Sequence, residues 1–186
     1  MSTPQPGVRP APQTTQETAF FWASGRDGRL RFQACAAPGC GDLIHPPRPV
    51  CPHCRGHATE IREVSGRATL IGFTVNHRFP FPGLPTPFVV AQVAIEEDPR
   101  VRLTTNTVDC APDELRLGMR MEVVFERVGT GEEKAGNGEP REERAGKEEG
   151  GEADAVWLPL FRPCAEQPPP APLPADEPVR ARTAAP

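Results

Sequence analysis

Residues 35–54 read CAAPGCGDLIHPPRPVCPHC, four cysteines in twenty residues with seven prolines and glycines among them. The large apolar residues are Leu43, Ile44 and Val50, too few to order the segment by burial. The cysteines form two short knuckles, Cys35-x4-Cys40 and Cys51-x2-Cys54, separated by ten residues. Such spacing can set four thiolates at the corners of a tetrahedron, the geometry zinc favours. Gly39 and Gly41 flank Cys40, and Gly56 lies two residues after Cys54, so the backbone can turn its N–H groups toward the sulfurs. Iron in a rubredoxin-like site would use the same four thiolates. A disulfide pair needs an oxidising compartment, and a redox Cys-x-x-Cys would leave Cys35 and Cys40 without a role. Four thiolates leave no position open for water or substrate, so the expected metal is a fold staple. His45, His53 and His57 are expected as exposed loop residues, and Cys110 and Cys164 as isolated free thiols.

Working outward, the composition separates foldable from unfoldable chain. Residues 1–13 hold four prolines, and the stretch from Pro163 onward holds eight, with Leu173 its only large apolar residue. Both ends read as disordered tails, because neither can offset the entropy of ordering. Residues 129–154 carry nine acids and four bases, a charge of −5, against −4 for the whole chain. The remainder is near neutral, which argues against a strongly basic, nucleic-acid-type surface. MSTPQPGVRP lacks a basic region followed by an apolar run, and no apolar stretch approaches the roughly 18 residues that span a bilayer. A cytoplasmic, reducing setting is therefore expected, where clustered cysteines more often bind metal.

Before the knuckles, TTQETAFFWASG predicts a short helix, with Thr14 and Glu17 as a capping box and Gly25 as its stop. Its aromatic residues Phe20, Phe21 and Trp22 pack either on the chain's own core or on a partner. GRLRFQAC predicts a strand leading into the first knuckle, with Leu30 and Phe32 in alternation. After the knuckles the apolar period becomes two. Thr69, Ile71, Phe73 and Val75 are expected on one face, followed by Val89, Ala91, Val93 and Ile95. Val101, Leu103, Thr105 and Thr107 come next, then Met119, Met121, Val123 and Phe125, and VWLPLF (156–161) completes the series. Five short alternating strands without a long helix predict a small β-barrel, with one helical turn in APDELRLG between the third and fourth. The loop HRFPFPGLPTPF (77–88) presents Phe79, Phe81, Leu84 and Phe88 among four prolines, which suits a partner or an acyl chain.

The words FFWASGRDGRLRFQAC, CGDLIHPPRPVCPHC, VSGRATLIGFTV, PFVVAQVAIEEDPRVRLTTNTVDCAPDELRLGM and LPLFRP stand here in one order. Together they resemble the bacterial and archaeal acyl-CoA-associated family with an N-terminal rubredoxin-like zinc ribbon and a C-terminal OB-fold, long a domain of unknown function. The resemblance runs from about Ala19 to Pro163, outside the acidic insert. It implies a mainly β fold: a short N-terminal helix and zinc ribbon over 14–60, then a five-stranded OB-fold over 61–163 interrupted by a disordered insert at 129–155. Tails at 1–13 and 164–186 complete the chain. It also implies zinc on Cys35, Cys40, Cys51 and Cys54, although the family's first knuckle usually has two intervening residues where this chain has four.

The function the resemblance implies is that of a non-catalytic accessory subunit, partner to a thiolase-like enzyme or aldolase or to a MaoC-like hydratase. Such a subunit would hold its partner in the active assembly and help shape an acyl-CoA site. Arg48, fixed between prolines three residues before Cys51, is a candidate contact for a CoA phosphate or a partner carboxylate. The chain carries no His-x-Glu metal pair, Gly-rich phosphate loop or nucleophile elbow. The alternative is a single-stranded nucleic-acid-binding OB-fold, for which the basic residues are scattered and the strands poor in aromatics. Rubredoxin-like electron transfer is a third reading.

Overall fold

The computed structural model describes residues 9–78, 86–128 and 155–165. Phe79, Phe81 and Leu84, the acidic insert and most of both tails lie outside the described residues. The chain is mainly β. A single helical turn, α1 (Ala19–Trp22), runs into a 3-10 turn (Ser24–Arg26). Strands β1 (Arg31–Cys35), β2 (Leu43–Ile44) and β3 (Thr59–Glu63) then form an antiparallel sheet in the order β2-β1-β3. Five more strands follow: β4 (Arg67–Asn76), β5 (Phe88–Ile95), β6 (Arg102–Asn106), β7 (Arg120–Val128) and β8 (Val156–Pro163). They pair antiparallel in the order β6-β5-β4-β7-β8.

This second sheet curls until its two outer strands meet. Thr107 bridges Phe161 in parallel, the Val108 N–H donates to the Phe161 carbonyl at 2.9 Å, and the Thr105 hydroxyl donates to the Pro159 carbonyl at 2.7 Å. Those contacts close an OB-fold barrel. Where β6 and β8 part, a groove of about 140 Å³ runs between Leu103–Asn106 and Leu158–Leu160, and Phe21 and Trp22 of α1 lie against it. The helix thus lies beside the seam of the barrel.

Alternation fills the interior as the sequence predicts in most strands. Val89, Ala91, Val93 and Ile95 are buried, as are Val101, Leu103, Met121 and Phe161. Strand β4 departs from the expectation. Its buried residues near the start are Ala68 and Leu70, whereas Val75 packs on the core near the end. The register against β5 jumps between Leu70 and Gly72, so Ile71 is a bulge residue with no partner. One inserted residue exchanges the two faces. The expected single face of Thr69, Ile71, Phe73 and Val75 is therefore split, and Phe73 is left 37% exposed.

Ribbon and barrel share one apolar core, which runs from Phe21, Leu30, Phe32 and Leu43 through Val64 to Leu70, Val93 and Phe161. Strand β3 carries little alternating apolar signal, its residues being half-buried or exposed, and it continues the ribbon sheet to Glu63. The helix is also shorter than its sequence suggests. No Thr14–Glu17 box forms; instead the Thr18 hydroxyl accepts the Thr15 N–H at 3.0 Å. Gly25 is not a terminator but a close-packing site: a Cβ there would lie 2.5 Å from the Trp157 Cβ and 2.7 Å from the Phe125 ring. The helical turn expected in APDELRLG is a 3-10 turn over Pro112–Glu114, capped by the Glu114 carboxylate accepting the Ala111 N–H at 2.9 Å.

Candidate metal centre

Strand β1 ends at Cys35, and the chain must reverse at once to bring Cys40 back beside it. The Cys40 N–H donates to the Ala37 carbonyl at 3.1 Å, while Gly39 and Gly41 adopt φ of +76° and +70°. The four-residue spacing is thereby absorbed in one tight turn. The second knuckle turns the same way: the Arg55 N–H donates to the Cys51 carbonyl and the Cys51 N–H to the Gly56 carbonyl, both at 2.9 Å. Arg55, with φ of 61°, occupies after Cys54 the left-handed position that Gly41 holds after Cys40.

These turns gather the four sulfurs within 4.8 Å of one another. Cys35 Sγ lies 3.4 Å from Cys54 Sγ, and Cys40 Sγ lies 3.8 Å from Cys51 Sγ. A tetrahedral site with metal–sulfur bonds of about 2.3 Å requires sulfurs about 3.8 Å apart, so the donor set fits such a metal. Backbone N–H groups face the sulfurs, Ala37 toward Cys35 at 3.5 Å and Gly56 toward Cys54 at 3.4 Å. The Cys54 and His53 N–H groups help draw the Cys51 thiol down to about 7. At Cys35 the Ala37 N–H acts in the same direction, but burial and hydrogen bonds shared with the other three thiols push it up to about 12. Four crowded thiols compete for ionisation, and a divalent cation, if bound, would hold all of them as thiolates.

The other predicted residues are distributed less simply. Phe21 is 3% exposed and packs against Trp22, Phe32 and His45, with ring centroids 4.9, 5.8 and 5.1 Å away. Of the two placements open to it, core or partner, this burial fits the core. Phe20 and Trp22 are half-buried against the same core. Phe88 starts β5, also half-buried. Arg48 is exposed; its backbone N–H donates to Gln33 Oε1 at 2.7 Å. It lines a cleft of about 380 Å³ between ribbon and barrel, together with His45, His53 and Arg100.

His45 corrects another expectation. It is not an exposed loop residue, because its ring packs against both Phe21 and Phe32, and its Nδ1 is buried with no hydrogen-bond partner. Burial pushes its imidazole below the ordinary histidine value, toward the neutral form. A contact the sequence did not signal joins the ribbon to the barrel. Arg100, in the β5–β6 turn, donates to Asp98 Oδ2 at 2.8 Å and to Asp42 Oδ1 at 3.0 Å.

Known proteins agree with this architecture. Two family profiles match end to end: the ChsH2 rubredoxin-like zinc ribbon domain over residues 22–60 and the ChsH2 C-terminal OB-fold domain over 61–126. A solved structure described as "Ltp2-ChsH2(DUF35) aldolase" superposes with a TM-score of 0.60 and 31% identity, covering 82% of this chain and 98% of that one. The chain belongs to the ChsH2/DUF35 family. Within it, the chain is 38% identical over 112 residues to a probable enoyl-CoA hydratase alpha subunit of Thermomonospora curvata, covering 60% of this chain and 34% of that protein. It is 36% identical over 92 residues to a DUF35 domain-containing scaffold protein of Methanocaldococcus jannaschii, covering 48% and 63%. It is 32% identical over 120 residues to the 3-oxo-4,17-pregnadiene-20-carboxyl-CoA hydratase alpha subunit of Mycobacterium tuberculosis, covering 64% and 37%. The chain therefore spans about a third of the two hydratase subunits and under two thirds of that scaffold protein. A ChsH2-type ribbon explains the four gathered thiols, and its OB-fold explains the barrel closed between β6 and β8.

Proposed function

We propose that this protein is a non-catalytic scaffold subunit of an acyl-CoA-processing complex, partnered with a MaoC-like hydratase or with a thiolase-like enzyme or aldolase. The observation that carries the reading is its match, at 31% identity, to 98% of a chain in the structure described as "Ltp2-ChsH2(DUF35) aldolase". Relatives named as hydratase alpha subunits and as scaffold proteins support the same class of partner. The chemistry agrees, because a site of four thiolates is coordinatively closed and gives a substrate no place to bind the metal.

Zinc is the metal proposed for Cys35, Cys40, Cys51 and Cys54, since an all-sulfur tetrahedral set suits it and a ribbon staple needs no redox change. The subunit acts in the cytoplasm, where those thiols stay reduced. Arg48, which lines the ribbon–barrel cleft, is the proposed contact of a CoA phosphate or a partner carboxylate. Phe20 and Trp22 extend the apolar surface a partner could cover. Phe79, Phe81, Leu84 and Phe88 are proposed contacts of the acyl group or of the partner. Co-expression with the hydratase- or aldolase-like product of a neighbouring gene tests the proposal. A stable complex whose acyl-CoA activity depends on this chain supports it; a chain that stays monomeric and changes no partner's activity refutes it. Colour separates the metals, a zinc protein being colourless and an iron one red.

A further inference from the structure

Asp42 follows the first knuckle and is bound into the metal centre through its backbone. Its carbonyl accepts the Cys35 N–H at 2.9 Å, and its own N–H points to the Cys40 sulfur. Its carboxylate is 19% exposed. It receives Arg100 through two contacts, Nη2 to Oδ1 at 3.0 Å and Nη1 to Oδ2 at 3.4 Å. His53 Nδ1, between the two ligands of the second knuckle, lies 3.5 Å from the same Oδ2. One residue thus touches both knuckles and the barrel.

The barrel side of this contact is equally fixed. Arg100 reaches Asp98 through Nε at 2.9 Å and Nη2 at 2.8 Å, and its backbone N–H donates to Asp98 Oδ1 at 3.1 Å. Asp98, 11% exposed, also accepts a backbone hydrogen bond from Leu43 of the ribbon. The planar guanidinium, 66% exposed, is thus shared between two carboxylates 56 residues apart in sequence. On either side of this bridge lie clefts of about 370 and 380 Å³, each lined by ribbon and barrel residues.

We infer that Asp42 and Arg100 couple metal occupancy to the seating of the ribbon on the barrel. A metal fixes Cys35 and Cys40, these fix the backbone of Asp42, and Asp42 presents its carboxylate to Arg100. Linkage makes the effect reciprocal: an Arg100 held by the barrel preorganises Asp42 and raises metal affinity. Asp42 and Arg100 are positioning residues; neither is a ligand. The inference rests on the four cysteines binding zinc.

Zinc affinity of the full chain, measured by competition with a chromogenic chelator, tests it. Arg100→Gln and Asp42→Asn are each expected to lose about tenfold in affinity, the low end for groups supporting metal ligands. The double variant should lose no more than either single one, because both remove the same contact. Arg100→Lys keeps the charge without the two-pronged geometry and should fall between, which keeps the test open should Arg100→Gln fold poorly. Hydrogen exchange gives a second readout. Zinc removal should speed exchange at Arg100 and Val101 in the wild-type chain, and Arg100→Gln should show that faster exchange with zinc bound. Affinities within twofold of wild type, or additive losses in the double variant, overturn the coupling while leaving the zinc site standing. A wild-type chain that binds no zinc overturns both.

Discussion

At the scale of single residues, the fold rests on positions where one atom decides the outcome. Gly25 lies so close to Trp157 and Phe125 that a methyl group cannot enter without moving β8 or β7. Gly25→Ala should cost about 1–3 kcal/mol, as overpacking does, read from the denaturant midpoint. Cys40→Ser removes one of four ligands; the purified variant should hold well under one zinc per chain by atomic absorption. His45 gives a pH dependence whose sign follows from its environment. Burial lowers its folded pKa below its unfolded value of about 6.5. The unfolded chain then binds the extra proton first, so stability present above about pH 6.5 is lost as pH falls toward the folded pKa. His45→Phe keeps a ring against Phe21 and Phe32 and removes that proton. Between pH 7 and 5.5 its stability should fall less steeply than that of the wild type, the acid sensitivity of the thiolates being common to both. Parallel slopes would contradict a buried neutral histidine.

At the scale of elements, most of what the sequence predicts is present, and the departures have identifiable causes. The knuckles were legible because metal ligands carry a fixed spacing. Strands β5 to β8 were legible because one face is buried, which imposes a period of two. The bulge at Ile71 was hidden, since an inserted residue leaves the composition unchanged and only a paired neighbour reveals it. Strand β3 was hidden because a sheet edge with exposed side chains has no apolar pattern. The Asp42–Arg100 contact was hidden for a different reason: nothing local marks two charges 58 residues apart as partners. Phe21 was ambiguous in sequence, since an aromatic cluster suits a core or an interface equally well. Its burial, with 3% of its surface exposed, fits the core reading. Phe21→Ala should destabilise the chain by about 3–5 kcal/mol, the cost of emptying a buried aromatic site. The acidic connection between β7 and β8 should be dispensable for folding. Val128 and Val156 are register partners, so a short turn replacing 129–154 can join them directly. Circular dichroism and a melting curve close to wild type would confirm it.

At the scale of the whole molecule, the shared core makes ribbon and barrel one cooperative unit. A separate ribbon would lose its metal and melt alone. Here the same apolar cluster includes Phe32 of β1 and Phe161 of β8, so metal loss must weaken the barrel as well. Chelation should lower the melting temperature of the whole chain, with near-ultraviolet and far-ultraviolet signals moving together. Two separated transitions would contradict a common core. A shared core of this kind suits a subunit that presents partner contacts, because less of it must be ordered on binding. Reconstitution tests the central claim most directly: the purified chain, its zinc bound, is mixed with the hydratase- or aldolase-like partner, and assembly and acyl-CoA turnover are measured together. A stable complex is predicted, with turnover absent from this chain alone and strongly raised in the partner when the chain is added. A partner fully active by itself, or a chain that turns over substrate unaided, would contradict it.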